Sequence, residues 1–123
     1  MLVALFTMWL LGGSSTSLLD YIADTRDSVK TVMVKDERQK EALSTLRAIK
    51  KRARAHNKQA GKAAKSLNKA FRDHAVTTAE IDTIWGIYFT EVDQYNHDMI
   101  KLRFELKEHI SREEWAAIFS DEQ

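Results

Sequence analysis

An all-α fold, dominated by a long antiparallel helical hairpin, is what this chain predicts, and three features carry the expectation. Proline is absent and glycine occurs only four times in 123 residues, so helix breakers are few. Between Ala42 and Arg72 there are ten Lys/Arg and no acid, whereas Glu80 to Asp98 holds five acids and no base. The turn-like stretch His74-Ala75-Val76-Thr77-Thr78 separates the two runs. A basic helix folded back on an acidic one accounts for both charge runs without an outside partner.

The first nineteen residues carry no charged side chain, and Leu2 to Leu11 form an apolar run the length of a signal-peptide core. Gly12-Gly13-Ser14-Ser15-Thr16-Ser17 interrupts it well short of the ~20 residues of a membrane span. No Lys or Arg precedes the run. The expectation is a leader or N-terminal anchor over residues 1–17, with a buried N-terminal helix as the remaining alternative, and a single helical domain over 18–123. Export would place the domain in the periplasm, free or anchored facing it.

A first helix follows from the stripe Leu18, Ile22, Val29 and Met33, ending near Val34. Asp36 is placed to cap the next helix, Glu37 to Arg72. That helix carries Leu46, Ile49, Ala53, His56, Ala60, Ala63, Leu67, Ala70 and, just past its end, His74 at alternating spacings of three and four, a seam made mainly of small residues. The acidic helix, Ala79 to His109, answers with the large seam Ile81, Trp85, Tyr88, Val92, Tyr95, Met99, Leu102 and Leu106. Small against large then pairs Leu67 with Tyr88, Ala63 with Val92, Ala60 with Tyr95 and Ala53 with Leu102. Thr77 with Glu80 and Ser111 with Glu114 read as capping boxes. The second opens a short helix, Arg112 to Phe119, whose Trp115, Ile118 and Phe119 should cover the open end of the hairpin near Leu43 and Leu46.

Two surfaces stand out. Ile84, Ile87, Phe89, Ile100 and Phe104 fall outside the main seam, so the first helix, a second copy or a client protein must cover them. The cations of the basic helix, among them Lys50, Lys51, Arg52, Arg54, Lys58, Lys62 and Lys65, are read as wrapping several faces. Some would pair with Glu80, Asp82, Glu91, Asp93 and Asp98; the others could meet an anionic membrane or nucleic acid. Nucleic acid ranks lower, because no aromatic is interleaved between Arg47 and Leu67.

Chemistry has little to build on. Cysteine is absent, which excludes thiol nucleophiles, disulfides and cysteine-based zinc sites. Asp93/His97 and Glu105/His109 each share a helix face, but a tight metal site needs three or four ligands. Gly61-Lys62 lacks a phosphate loop around it, and no nucleophile motif is present. The expectation is a non-catalytic protein with no cofactor, metal or small-molecule substrate. His56 beside Tyr95 is the one candidate pH-sensing position.

Val76-Thr77-Thr78-Ala79-Glu80 and Ile110-Ser111-Arg112-Glu113-Glu114 resemble degenerate copies of the paired LTxxQ motif of Spy/CpxP-type small periplasmic helical proteins. An aliphatic residue, Thr or Ser, and Glu stand in the Leu, Thr and Gln slots, so neither motif matches outright. The resemblance implies a cradle-like helical dimer, induced by envelope stress, that binds unfolded proteins or a sensor kinase. A binding or scaffold protein of the bacterial cell envelope, chaperone-like or stress-related, is the resulting expectation. The alternative is a polyanion-binding protein using the basic helix, residues 42–72.

Overall fold

The computed structural model describes residues 15–119 and is all-α: helix α1 (Ser15–Val32), α2 (Glu37–Arg72), α3 (Thr78–His109) and α4 (Arg112–Ile118). The leader or anchor expected over residues 1–17 lies almost wholly outside the described residues. Among those described, no helix is long and apolar enough to cross a membrane.

The helix boundaries follow local chemistry. Asp36 is extended and accepts the Gln39 N–H at 3.1 Å, which starts α2. Asp73 ends it: its backbone N–H reaches Ala70 O at 3.1 Å, while its side chain accepts the Ala75 N–H at 2.9 Å. Thr77 accepts the Glu80 N–H at 3.2 Å and opens α3, forming one arm of the expected box. At Ser111 both arms are present, with the Ser111 hydroxyl accepting from Glu114 N–H and the Glu114 carboxylate accepting from Ser111 N–H.

α2 (36 residues) and α3 (32 residues) form the hairpin, α1 packs along the first part of α2, and α4 closes against α1. At 1.5 Å per residue the hairpin is about 50 Å long, and its two halves differ. At the open end, Leu18, Ile22 and Val29 of α1 and Met33 just after it join Ala42, Leu46, Ile49 and Ala53 of α2, Tyr95, Met99 and Leu106 of α3, and Ile110 and Ile118. Val29 and Ala53 have no exposed surface, and Met99 almost none. Gln39 is buried here too, its amide donating to Met33 O at 3.1 Å and so tying the α1–α2 corner. Beyond Ala53 in α2 only Ala70 is buried, and α3 has no buried residue before Tyr95. Among the described residues the half nearest the turn is thus a two-helix arm.

The hairpin register differs from the expected one by about a turn. His56, not Ala60, stacks on Tyr95, and Ala63 shares a groove with Tyr88, where the expectation set Leu67. The turn is one cause. Asp73 stops α2 and Val76 N–H bonds back to Asp73 O at 3.1 Å, so the chain reverses about Ala75. The principle of small against large survives in the core, where Ala42 and Ala53 lie among Met99, Tyr95 and Leu106.

Ala53→Leu should therefore overpack the fully enclosed site and destabilise by about 1–3 kcal/mol. Gly61→Ala should instead stabilise by about 0.5–1 kcal/mol, since an added Cβ there meets nothing within 4 Å. Chemical denaturation of the two variants checks both signs.

Candidate functional surfaces

Arg52 organises the waist of the hairpin. Its Nη2 donates to Glu91 Oε1 at 2.7 Å and its Nε to Asp98 Oδ2 at 2.8 Å, so one guanidinium bridges two turns of α3. The same group lies over the Tyr95 ring, 5.2 Å from its centroid. His56 stacks on Tyr95 with centroids 3.9 Å apart, and its Nδ1 meets the other oxygen of Glu91. Partial burial alone would raise the Glu91 carboxyl, but hydrogen bonds and charge from His56 and Arg52 outweigh it and hold its pKa below the ordinary value. The hydrogen bond from Arg52 likewise lowers Asp98, and burial raises Tyr95. Desolvation alone would lower Arg52, but the bonds it donates to Asp98 and Glu91 outweigh that and raise it.

A second clamp closes the open end. Arg38 forks onto the Glu114 carboxylate at 2.8 and 3.2 Å and reaches His109 O at 3.5 Å. With the Ser111 N–H adding its own bond, Glu114 is held at about 2.

Arg52 is consequently not a polyanion contact, contrary to expectation: its side chain is only 18% exposed and both its sides are occupied by acids. The other cations are not wrapped around several faces either. At about 100° per residue, Arg47, Lys50, Lys51, Arg54, Lys58, Lys62, Lys65, Lys69 and Arg72 fall within an arc of roughly 120°, and Arg52 alone points across it to α3. All nine are exposed except Lys50, which is half-buried, and none forms an ion pair among the described residues. The stripe runs about 38 Å along α2. At its open-end side α1 contributes Arg26, producing a groove of about 360 Å³ with an Ile22, Ala23 and Leu46 floor beneath Arg26, Arg47, Lys50, Lys51 and Arg54. Arg26, on α1, lies outside the expected basic run, whereas the 47/50/51/54 spacing is legible in the sequence. Of the acids expected to pair across the hairpin, Glu91 and Asp98 do so, while Glu80, Asp82 and Asp93 form no ion pair among the described residues.

The apolar flank of α3 is not covered by α1. Ile87 is 69% exposed, Phe89 56%, Ile100 41% and Phe104 53%; Ile84 is half-buried in the groove between the helices. Trp85, taken in the sequence as seam, belongs to this flank, stacked on Phe89 at 5.4 Å. Ile87 lies on the opposite flank, beside Lys62 and Ala63. Among the described residues no group of three or more His, Asp or Glu is placed to hold a metal ion, and neither Asp93/His97 nor Glu105/His109 forms an ion pair.

Compared with protein-family models, curated proteins and solved structures, the chain finds no match.

The lowered carboxyls fix a pH dependence. Glu91, Asp98 and Glu114 titrate lower folded than unfolded, so their contribution is fully present at neutral pH and lost as pH falls below the ordinary 3.8–4.5 toward about 2. Arg52→Gln should cost about 1–2 kcal/mol at pH 7, reduced by partial exposure of the cluster. The variant's penalty should shrink as pH is lowered through this window, a trend that thermal melts in a pH series read directly.

Proposed function

We propose that this chain is a non-catalytic helical binding protein that lies on an anionic membrane surface through the cationic stripe of α2. The observation carrying the reading is the segregation of nine cations onto one outward face while the tenth is consumed inside the hairpin. A straight cationic face about 38 Å long presents its charges to a planar array of phosphates together. Each Lys or Arg near such a surface contributes about 1 kcal/mol, within reach of a Debye length. With a formal net charge of only +1, attraction depends on this local face and not on the whole molecule.

Membrane is favoured over nucleic acid because no Phe, Tyr or Trp stands between Arg47 and Leu67 to stack on a base. The apolar run Leu2–Leu11 supplies a second membrane signal, and stable attachment generally needs two. The groove between α1 and α2, with its apolar floor and cationic rim, is the size of a single lipid headgroup with a few methylenes. A location at the cell envelope, anchored or exported, is consistent with both signals.

Cosedimentation of the full chain with vesicles tests this. Phosphatidylglycerol-containing vesicles should bind it in a salt-sensitive manner, and zwitterionic vesicles should bind it less. Replacing Lys58, Lys62, Lys65 and Lys69 together by Gln should weaken binding by at least about tenfold with helicity retained. Equal binding to both vesicle types, indifference to the substitutions, or tighter binding to duplex DNA would each overturn the reading.

A further inference from the structure

The groove between α1 and α2 differs in chemistry from the stripe it adjoins. Along the arm the outward cations are Lys58, Lys62, Lys65 and Lys69, all lysine, and arginine returns only at Arg72 beside the turn. At the groove three arginines gather, Arg26 from α1 and Arg47 and Arg54 from α2, together with Lys50 and Lys51. No carboxylate is among the residues that line it. Asp27, well exposed, comes only within 3.9 Å of Arg26 Nε, and the four cations of α2 form no ion pair among the described residues. Five like charges around one hollow repel one another, and a bound anion reverses that cost. The floor beneath them is apolar: Ile22 and Leu46 are buried and Ala23 is half-buried.

We infer that this groove is a site for one amphiphile with a phosphomonoester head. The head is held by Arg26, Arg47 and Arg54, and the first methylenes of its chain lie on Ile22, Ala23 and Leu46. The site rests on the surface-binding reading above and narrows it from an anionic sheet to a single ligand. Residue type carries the choice. Lysine is a hydrated point charge suited to a diffuse field, whereas a guanidinium forks onto two phosphate oxygens. A phosphomonoester offers three acceptor oxygens and a charge of about −1.5 to −2, which matches three guanidiniums lining one hollow from two helices. A carboxylate, with two oxygens and one charge, would leave part of that set unmatched.

The floor excludes two other anions. Inorganic phosphate would leave the apolar side chains wetted. A nucleotide would find no aromatic ring in the lining on which to stack its base. At about 360 Å³ the hollow is at the small end of ligand sites. It has room for the head and a short stretch of chain, with the remainder of a lipid left in the bilayer.

Titration calorimetry of the full chain with butyl, hexyl and octyl phosphate, each below its micelle concentration, tests the site without a membrane. Affinity should rise by up to about fourfold per methylene laid on the floor and then level off. Inorganic phosphate should bind far more weakly, and so should the methyl diester of octyl phosphate, which keeps the chain and loses a charge. Arg47→Lys/Arg54→Lys retains every charge and alters two exposed positions, so circular dichroism and the melting temperature should hold. It should weaken octyl phosphate at least about fivefold and leave salt-sensitive binding to phosphatidylglycerol vesicles unchanged. Inorganic phosphate bound as tightly as octyl phosphate would overturn the inference, as would a lysine variant that binds octyl phosphate like the parent. A chain that binds the vesicles but ignores octyl phosphate would overturn the groove and spare the surface reading. One that binds octyl phosphate with one-to-one stoichiometry but ignores vesicles would do the reverse.

Discussion

The arrangement rests on a single guanidinium placed between two carboxylates. Arg52 is the only cation of the basic run that points at α3, and it meets Glu91 and Asp98 two turns apart with the Tyr95 ring beneath it. His56 completes the cluster by stacking on the same ring and contacting the same Glu91. Apolar packing at a seam of small residues tolerates sliding by a turn, since Ala53, Ala60, Ala63 and Ala70 resemble one another to the helix opposite. A forked ion pair does not tolerate it. The cluster thus fixes the hairpin register that apolar complementarity leaves loosely specified, as buried polar groups do where they select register. Arg38 on Glu114 does the same at the open end, holding the start of α2 to the start of α4.

From that constraint the division of surfaces follows. Once the seam side of α2 is committed to α3 and its next side to α1, the cations have only the outer face left. Among the described residues α1 packs on the core half and only α2 and α3 pack on each other in the arm. α3 shows an exposed apolar flank there, with Trp85 and Phe89 stacked on each other. Among the described residues, one end is a conventional core around Val29, Met99 and Ala53, and the other is a two-helix rod whose sides are chemically distinct.

Element positions were legible because their signals are local. The stripe Leu18, Ile22, Val29 and Met33, the caps at Asp36, Thr77 and Ser111, and the proline-free runs each act within a few residues. Register was not legible in the same way. It depends on where Asp73 stops α2 and on Arg52 choosing Glu91 and Asp98, and ion-pair choice across a hairpin leaves no periodic trace. The cationic face was present in the sequence as a 3.6-residue period, concealed because Arg52 and the adjacent pair Lys50-Lys51 make the run look isotropic. Trp85 was assigned to the seam because its spacing allows it; the seam angle that excludes it is set by Tyr95 and Met99, which only the packed structure reveals.

The proposed orientation, with the α2 stripe against an anionic surface, is directly measurable because the chain has no cysteine. Single thiols at Ala55 and Gly61, which border the α2 stripe without removing a cation, and at Thr83 and Thr90 on α3 would each carry a spin label. All four positions are exposed. Added phosphatidylglycerol-containing vesicles should shield the labels at 55 and 61 from a water-soluble relaxation agent and leave those at 83 and 90 unaffected. Shielding of 83 and 90 instead, or equal shielding of all four, would contradict it.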